Sequence, residues 1–459
     1  MSSNISTRWI EDNSKLLTDI SDAIWRYAEE AYEENRSSQL LIELLEKEGF
    51  VVETNIAGME TAFKATWGKG KPRIGFLAEY DALPELSQEP VPYRKPQEGK
   101  TAGHGCGHNL LGTAAVGAAI GLKYQLEEEG KDGTVILFGC PAEEILMGKI
   151  RMAKEKVFDD LDVALTWHPG FVNMPMEIAF QAMNSVKFKF HGIPSHAAES
   201  PEEGRSALDA VELMNVGVNY LREHVVSDAR MHYIITNGGD KPNIVPKNAE
   251  VWYFIRAPKR RQVDEIYERM KKIAQGAALM TETTVEIDLL TGCYEFLAND
   301  LLNKTLYESL EELQPPAWNE EELKFAQDII DTFSEGQKDN QVSKFGNQEL
   351  KDSLLDDRVS KPRYKLFPVG ASTDVSDVSW IVPTGQIMTC CSPVGTAGHT
   401  WQMTASCGMS IGHKGMLYAA KTLALTGYKL IRDPKLLKAV VSEFEERKEG
   451  TDYIPIITD

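Results

Sequence analysis

The sequence predicts an α/β protein of two domains, in which a mostly parallel-sheet domain is interrupted by an inserted βαββαβ unit of ferredoxin-like order. Three observations predict it. Over residues 1–181 and 293–459, short apolar runs alternate with helix-spaced segments, as expected where helices cover both faces of a parallel sheet. Between them, over residues 182–292, half-buried strands and amphipathic helices follow in the order βαββαβ. Finally, 459 residues exceed the roughly 150 of an average domain, so more than one core is expected.

Taken in order, residues 7–32 and 36–48 place Ile10, Leu17, Ile20, Ile24, Leu40, Leu41, Leu44 and Leu45 at helical spacing, and Gly49 ends the second helix. Strands are expected at 50–54, 62–67 and 74–78, the last an apolar run of the kind buried in a parallel sheet. A Gly/Ala-rich helix follows at 110–128, then strand 134–139, a helix near 148–158 and strand 163–167. In the insertion, Val186, Phe188 and Phe190 alternate with Lys187, Lys189 and His191, which marks a strand with one buried face. Helix 204–222, strands 231–237 and 250–257, helix 262–281 and strand 284–291 complete it. Helices at 299–314 and 320–334, strand 385–391 and a long helix at 412–431 return to the first domain. Residues 335–365 are polar and rich in turn formers and are assigned no element.

Composition narrows the function. With 49 Lys+Arg against 69 Asp+Glu the formal charge is −20, so neither nucleic acid nor an anionic membrane is an expected partner. The longest small-apolar run, Leu110–Leu122, is broken by Gly112, Gly117 and Gly121 and falls short of the ~20 residues that span a bilayer. Met1–Arg8 is short and polar, without a signal-peptide core. Six cysteines, two of them adjacent, make no disulfide framework, and a reduced, cytoplasmic protein is expected.

Four pieces of sequence can do chemistry, each at the end of an expected strand or in a glycine-rich turn. In Gly103-His104-Gly105-Cys106-Gly107-His108-Asn109, a thiol and an imidazole two residues apart can converge on one ion. Glu143 and Glu144 in Pro141-Ala142-Glu143-Glu144 follow strand 134–139, where one carboxylate can bind metal while its neighbour acts as base. His168 follows strand 163–167, and His399 lies in a glycine-flanked loop after strand 385–391. Taken singly, each has an ordinary alternative: a solvated acidic loop, a hydrogen-bonded histidine at a strand end, a surface histidine. Together they put one Cys, three His and two Glu at the ends of strands in one sheet, where parallel sheets gather function.

These stretches resemble the M20 metallopeptidase/aminoacylase family, in its aminobenzoyl-glutamate hydrolase branch of B-subunit type. Further matches are Glu79-Tyr80-Asp81-Ala82-Leu83-Pro84, Trp167-His168-Pro169, Gly192-Ile193-Pro194-Ser195-His196-Ala197-Ala198, Gly204-Arg205-Ser206-Ala207-Leu208-Asp209-Ala210, Ser372-Thr373-Asp374-Val375 and Gly398-His399-Thr400. The resemblance runs from about residue 10 to 430. It implies that segments 1–181 and 293–459 form the catalytic domain and that 182–292 form a lid and dimerisation domain. It implies two divalent metal ions, Mn2+ or Zn2+ with Co2+ or Ni2+ as alternatives, held by Cys106, His108, Glu144, His168 and His399. Glu143 would be the general base that activates a water between the ions, and Asp81 would orient a ligand histidine. His196 would donate to the oxyanion, often across a dimer interface, while Asn243 and Arg256 would hold a substrate carboxylate. Asn109 stands where most of the wider group has Asp, a feature shared with this branch.

The resemblance implies hydrolysis of the amide of N-aroyl or N-acyl amino acids, with p-aminobenzoyl-glutamate-like conjugates first, by a homodimer or a hetero-oligomer with a related subunit. Alternatives are a dipeptidase or aminoacylase of the same mechanism, and a ligand-binding relative without catalysis. A thiol hydrolase using Cys106 with His108 or His168 as base would leave Glu143 and Glu144 without a task.

Overall fold

The computed structural model describes residues 4–363, 367–368 and 370–457. The chain divides into two compact units. The first comprises Met1–Ile178, Leu297–Phe367 and Val378–Tyr453, and the second Ala179–Phe296, Pro368–Asp377 and Ile454–Asp459. Two short segments that the sequence places in the flanking domain, Pro368–Asp377 and the chain's last residues, therefore group with the inserted unit.

The first unit is built on a seven-stranded sheet in the order Val51–Thr54, Phe63–Lys69, Gly133–Gly139, Arg73–Ala78, Val163–Gly170, Thr384–Cys390, Met174–Pro175. Its four central strands, Gly133–Gly139 to Thr384–Cys390, are mutually parallel, and the outer pairings are antiparallel. Val135, Leu137, Ile74, Phe76, Val163 and Leu165 are wholly buried, which is why these strands read as continuous apolar runs. Against one face lies the helix His108–Glu129, nearly all of it buried, flanked by Ser410–Arg432 and the N-terminal helices.

Several elements differ from the sequence reading. The expected helix over 7–32 is two, Ile5–Asp12 and Ser14–Tyr27: Asn13 takes the break and bonds back to the Trp9 carbonyl, and Ala28 ends the second in the left-handed region. His168 lies within its strand, which continues to Gly170. Residues 335–363 hold a helix, Gln337–Lys344, and a short turn at Gln348–Leu350, while 364–366 lie outside the described residues. A last helix, Pro434–Lys448, is capped by Asp433, which accepts from the Lys435 and Leu436 amides.

The second unit has a wholly antiparallel sheet in the order Ile456–Ile457, Thr284–Cys293, Ala182–His191, Asn248–Ala257, Arg230–Asn237. The helices Ala207–Leu221 and Arg260–Thr281 cover one face over Val186, Phe188, Phe190, Val251, Tyr253 and Ile255. This is the βαββαβ order expected from the alternation of Val186, Phe188 and Phe190. Among the described residues no helix is long and apolar enough to cross a membrane.

Candidate metal centre

The four parallel strands of the first unit bring their carboxyl ends side by side, and most of the candidate residues stand at or just beyond those ends. Glu79, Tyr80 and Asp81 follow Arg73–Ala78, Glu143 and Glu144 follow Gly133–Gly139, and His168 is near the end of Val163–Gly170. Cys106 lies in the turn before His108–Glu129, of which His108 is the first residue. His399 is on the loop after Thr384–Cys390, at φ 57°, and its amide donates to the Gly105 carbonyl at 2.9 Å. That loop is backed by the segment the sequence left unassigned: the Val394 amide donates to the Leu354 carbonyl and the Gln337 side chain to the Gly395 carbonyl.

The ligand atoms converge. Cys106 Sγ is 3.2 Å from His168 Nε2, and His399 Nε2 is 3.4 Å from Glu144 Oε2. Three groupings have all their donor atoms within 4.8 Å of one another: Cys106–His108–His168, Cys106–Glu144–His399 and Glu79–His108–Glu143. Cys106 joins two of these, and His108 joins two. Buried His108 and half-buried His168 are each oriented from behind. His108 Nδ1 bonds to Asp81 Oδ1 at 2.7 Å, and His168 Nδ1 to the Pro169 carbonyl at 2.8 Å. Held by Nδ1, each ring directs its Nε2 toward Cys106 or the acids, the position from which a histidine ligates a metal.

The electrostatics ask for cations. Burial pushes the Cys106 thiol well above its ordinary range and Glu144 adds to it; burial pushes the Glu144 carboxyl up to about 7. Burial, with His108 nearby, lowers His168 to about 4, so its ring is neutral at physiological pH. Burial opposes ionisation of Asp81 as well, yet the His108 imidazole holds its carboxyl below the usual range. Glu144 Oε1 and His108 Nε2 are buried and meet no hydrogen-bond partner among the described residues. Thiolate, neutral imidazole and carboxylate are the donors a divalent ion takes, so the residues fit the expected metals. The same raised thiol argues against Cys106 as a nucleophile, which needs a depressed pKa.

Two participants were not expected from sequence. Glu79 Oε2 is 3.3 Å from His108 Nε2, and Lys149 Nζ forms a fully buried ion pair with Glu79 Oε1 at 2.7 Å. Glu79 stands at a strand end like the other candidates, a signal that could have found it. Nothing in its local sequence marks Lys149.

The remaining candidates lie in the second unit. His196 is exposed, and its Nδ1 accepts from the Glu199 amide at 3.1 Å. Asn243 is beside it, its carbonyl accepting from the Ala197 amide. Arg256 is half-buried at the end of its strand, and Nη1 donates to the Gly370 carbonyl and to Ser372 Oγ at 3.1 and 3.0 Å.

Comparison with known proteins agrees with this architecture. A family profile for the peptidase dimerisation domain matches residues 179–281. The B-type component of the p-aminobenzoyl-glutamate hydrolase of Escherichia coli (strain K12) is 44% identical over 97% of this chain and 95% of its own length. The Xaa-Arg dipeptidase of Mus musculus is 32% identical over 95% of this chain and 90% of its own. Among solved structures, a dinuclear metal-binding peptidase of the M20 family from Bacillus subtilis shares the fold with a TM-score of 0.60 at 14% identity, covering 92% of this chain and 99% of that one. With such identity sustained over nearly its whole length, the chain belongs to the M20 family of amidohydrolases and peptidases.

Proposed function

We propose that the protein is a two-metal amidohydrolase that cleaves the amide of N-aroyl or N-acyl amino acids, with p-aminobenzoyl-glutamate as first substrate. The observation that carries this is the convergence of Cys106, His108, Glu144, His168 and His399 with Glu143 beside them. Those five would hold two divalent ions, with zinc favoured by the thiolate and manganese by the branch. When bound, the ions supply Lewis acidity for the scissile carbonyl and lower the pKa of the attacking water.

This chain's own residues would do the rest. Glu143, 9% exposed and 4.0 Å from His108 Nε2, takes the water's proton and delivers it to the leaving amine. Asp81 keeps His108 aimed while its other oxygen accepts from the Glu144 amide at 2.9 Å. His196 donates to the developing oxyanion, and Asn243 and Arg256 bind the substrate carboxylate, the planar guanidinium matching its two oxygens. Residues 182–292 would act as lid and dimerisation domain, in a homodimer or beside a related chain, as the name of the Escherichia coli relative, one component of a hydrolase, suggests. The cysteines are thiols rather than disulfides, which supports a reducing, cytoplasmic setting.

The Xaa-Arg dipeptidase relative favours a second reading, cleavage of a dipeptide by the same centre. The test is release of p-aminobenzoate from p-aminobenzoyl-glutamate, beside hydrolysis of a Xaa-Arg dipeptide, with added Mn2+ or Zn2+ and a chelator control. Metal-restored, chelator-abolished release of p-aminobenzoate is expected. Dipeptide cleavage alone moves the substrate to the second reading. Turnover that survives exhaustive chelation overturns the two-metal mechanism.

A further inference from the structure

The loop that carries Glu143 and Glu144 is anchored from an unexpected direction. Glu34 is the cap residue that opens the helix Asn35–Lys47, and it is wholly buried. The preceding connection reverses through two left-handed residues, Ala28 at φ 47° and Tyr32 at φ 69°. The Glu34 carboxylate makes two buried bonds: Oε1 accepts from the Ala142 amide at 2.9 Å, and Oε2 from the Thr61 hydroxyl at 2.9 Å.

Ala142 has φ 57°, a left-handed conformation that strains a residue with a Cβ and persists only where its surroundings enforce it. Its amide precedes Glu143 directly. On the other side of Glu143, the Glu144 amide donates to Asp81 Oδ2. Two buried carboxylates from separate segments thus grip alternate amides, and Glu143 is the residue between them. The two anchors are themselves joined, since Tyr80, next to Asp81, donates its hydroxyl to the Thr61 carbonyl at 2.5 Å.

We propose that Glu34 is a positioning residue, which aims the Glu143 carboxylate by accepting the Ala142 amide and forcing the left-handed turn. The inference rests on the reading of Glu143 as base. What Glu34 must supply is an acceptor oxygen, not a charge. Burial and the neighbouring Asp81 push its carboxyl up to about 7, so a neutral side chain of the same shape is a fair mimic. Glu34→Gln keeps an oxygen for the Ala142 amide and offers an NH2 to the Thr61 hydroxyl, which then accepts.

The test uses the full-length protein as wild type, E34A and E34Q. It reads kcat and KM for p-aminobenzoyl-glutamate, bound metal per chain, and amide hydrogen exchange of the metal-free protein over residues 138–147. In E34A, kcat should fall about 10–100-fold with KM changed less than about threefold, the scale of a catalytic group moved by an ångström or less. Metal content should stay as in wild type, and exchange over 138–147 should quicken. E34Q should keep kcat within about threefold and the slow exchange. If E34A does not fold, E34A with Ala142→Gly relieves the turn and should recover folding without recovering kcat.

Wild-type kcat or unchanged exchange in E34A overturns the proposal, and so does an E34Q as slow as E34A. An inactive wild type overturns the functional reading instead, and the exchange comparison then still decides whether Glu34 holds the loop.

Discussion

A carboxylate in this protein behaves according to what donates to it and what surrounds it, and Asp356 shows the balance away from the metal centre. It accepts from the Asn173 amide at 2.9 Å and the Arg358 amide at 3.1 Å, both of which favour the ion, yet burial prevails and pushes its carboxyl up to about 6. An acid whose pKa is higher folded than unfolded favours the native state most below its unfolded value, here near 3.8, and loses that contribution as pH rises through about 6. The loss is about 2–3 kcal/mol across the window. Asp356→Asn removes the titration, so the variant's melting temperature should gain on wild type as pH rises from 4 to 7 and run parallel above. Parallel curves throughout would show that Asp356 titrates normally. At this scale the sequence was legible where chemistry sits beside a strand end: Cys106, His108, Glu143, Glu144, His168 and His399 were all candidates, and they converge. Glu34 was not, because it closes the acidic stretch Glu29, Glu30, Glu33, Glu34, which reads as a solvated turn. Only the reversal through Ala28 and Tyr32 carries it inward.

Secondary-structure elements set these residues in register through close backbone approach. Gly112, one turn into the helix His108–Glu129, lies so near the strand end that a Cβ there would stand 2.6 Å from the Glu79 carbonyl oxygen. That contact brings the helix start, with His108, onto the segment carrying Glu79 and Asp81. Gly107 caps the same helix at φ 80°, and a Cβ would meet Pro169 at 2.9 Å and Cys407 Sγ at 3.0 Å. Gly107→Ala should therefore cost about 1–2 kcal/mol from the left-handed backbone alone, with the crowding added. Because Cys106 and His108 flank it, bound metal per chain should fall together with the melting temperature. A variant that melts and binds metal like wild type would show that this turn has slack. Apolar periodicity made the central strands and the long helices legible, since a fully buried strand or helix leaves a continuous apolar trace. It failed at 335–363, where helix Gln337–Lys344 buries only Val342. An element with so narrow an apolar stripe has almost no periodic signal to read.

For the molecule as a whole, a net charge of −20 spread evenly would repel the anionic substrate of the proposed reading, so attraction would have to come from a local source. Under the proposed reading, two divalent ions would supply it whatever the total. A second whole-molecule feature is the open edge of the antiparallel sheet. Arg230–Asn237 stands at the end of the strand order, and on it Tyr233, Ile234 and Ile235 are 38%, 58% and 43% exposed. The helix Ala207–Leu221 of the same unit exposes Val216 and Tyr220. An uncovered edge with apolar side chains is a template for pairing with another strand, and the residues lie within the match to a peptidase dimerisation domain. Under the proposed reading of a homodimer, a second copy of the chain would occupy it. Placing a charge in the middle of that edge, as Ile234→Lys, should convert a species of twice 51.2 kDa into one of 51.2 kDa in light scattering after size exclusion. The candidate metal ligands are all in the first unit, so bound metal per chain should be unchanged. If His196 serves the partner's centre, turnover should collapse with the dimer. A monomeric variant with wild-type turnover would confine His196 to its own chain or remove it from catalysis. An undiminished mass would show that the chains meet elsewhere.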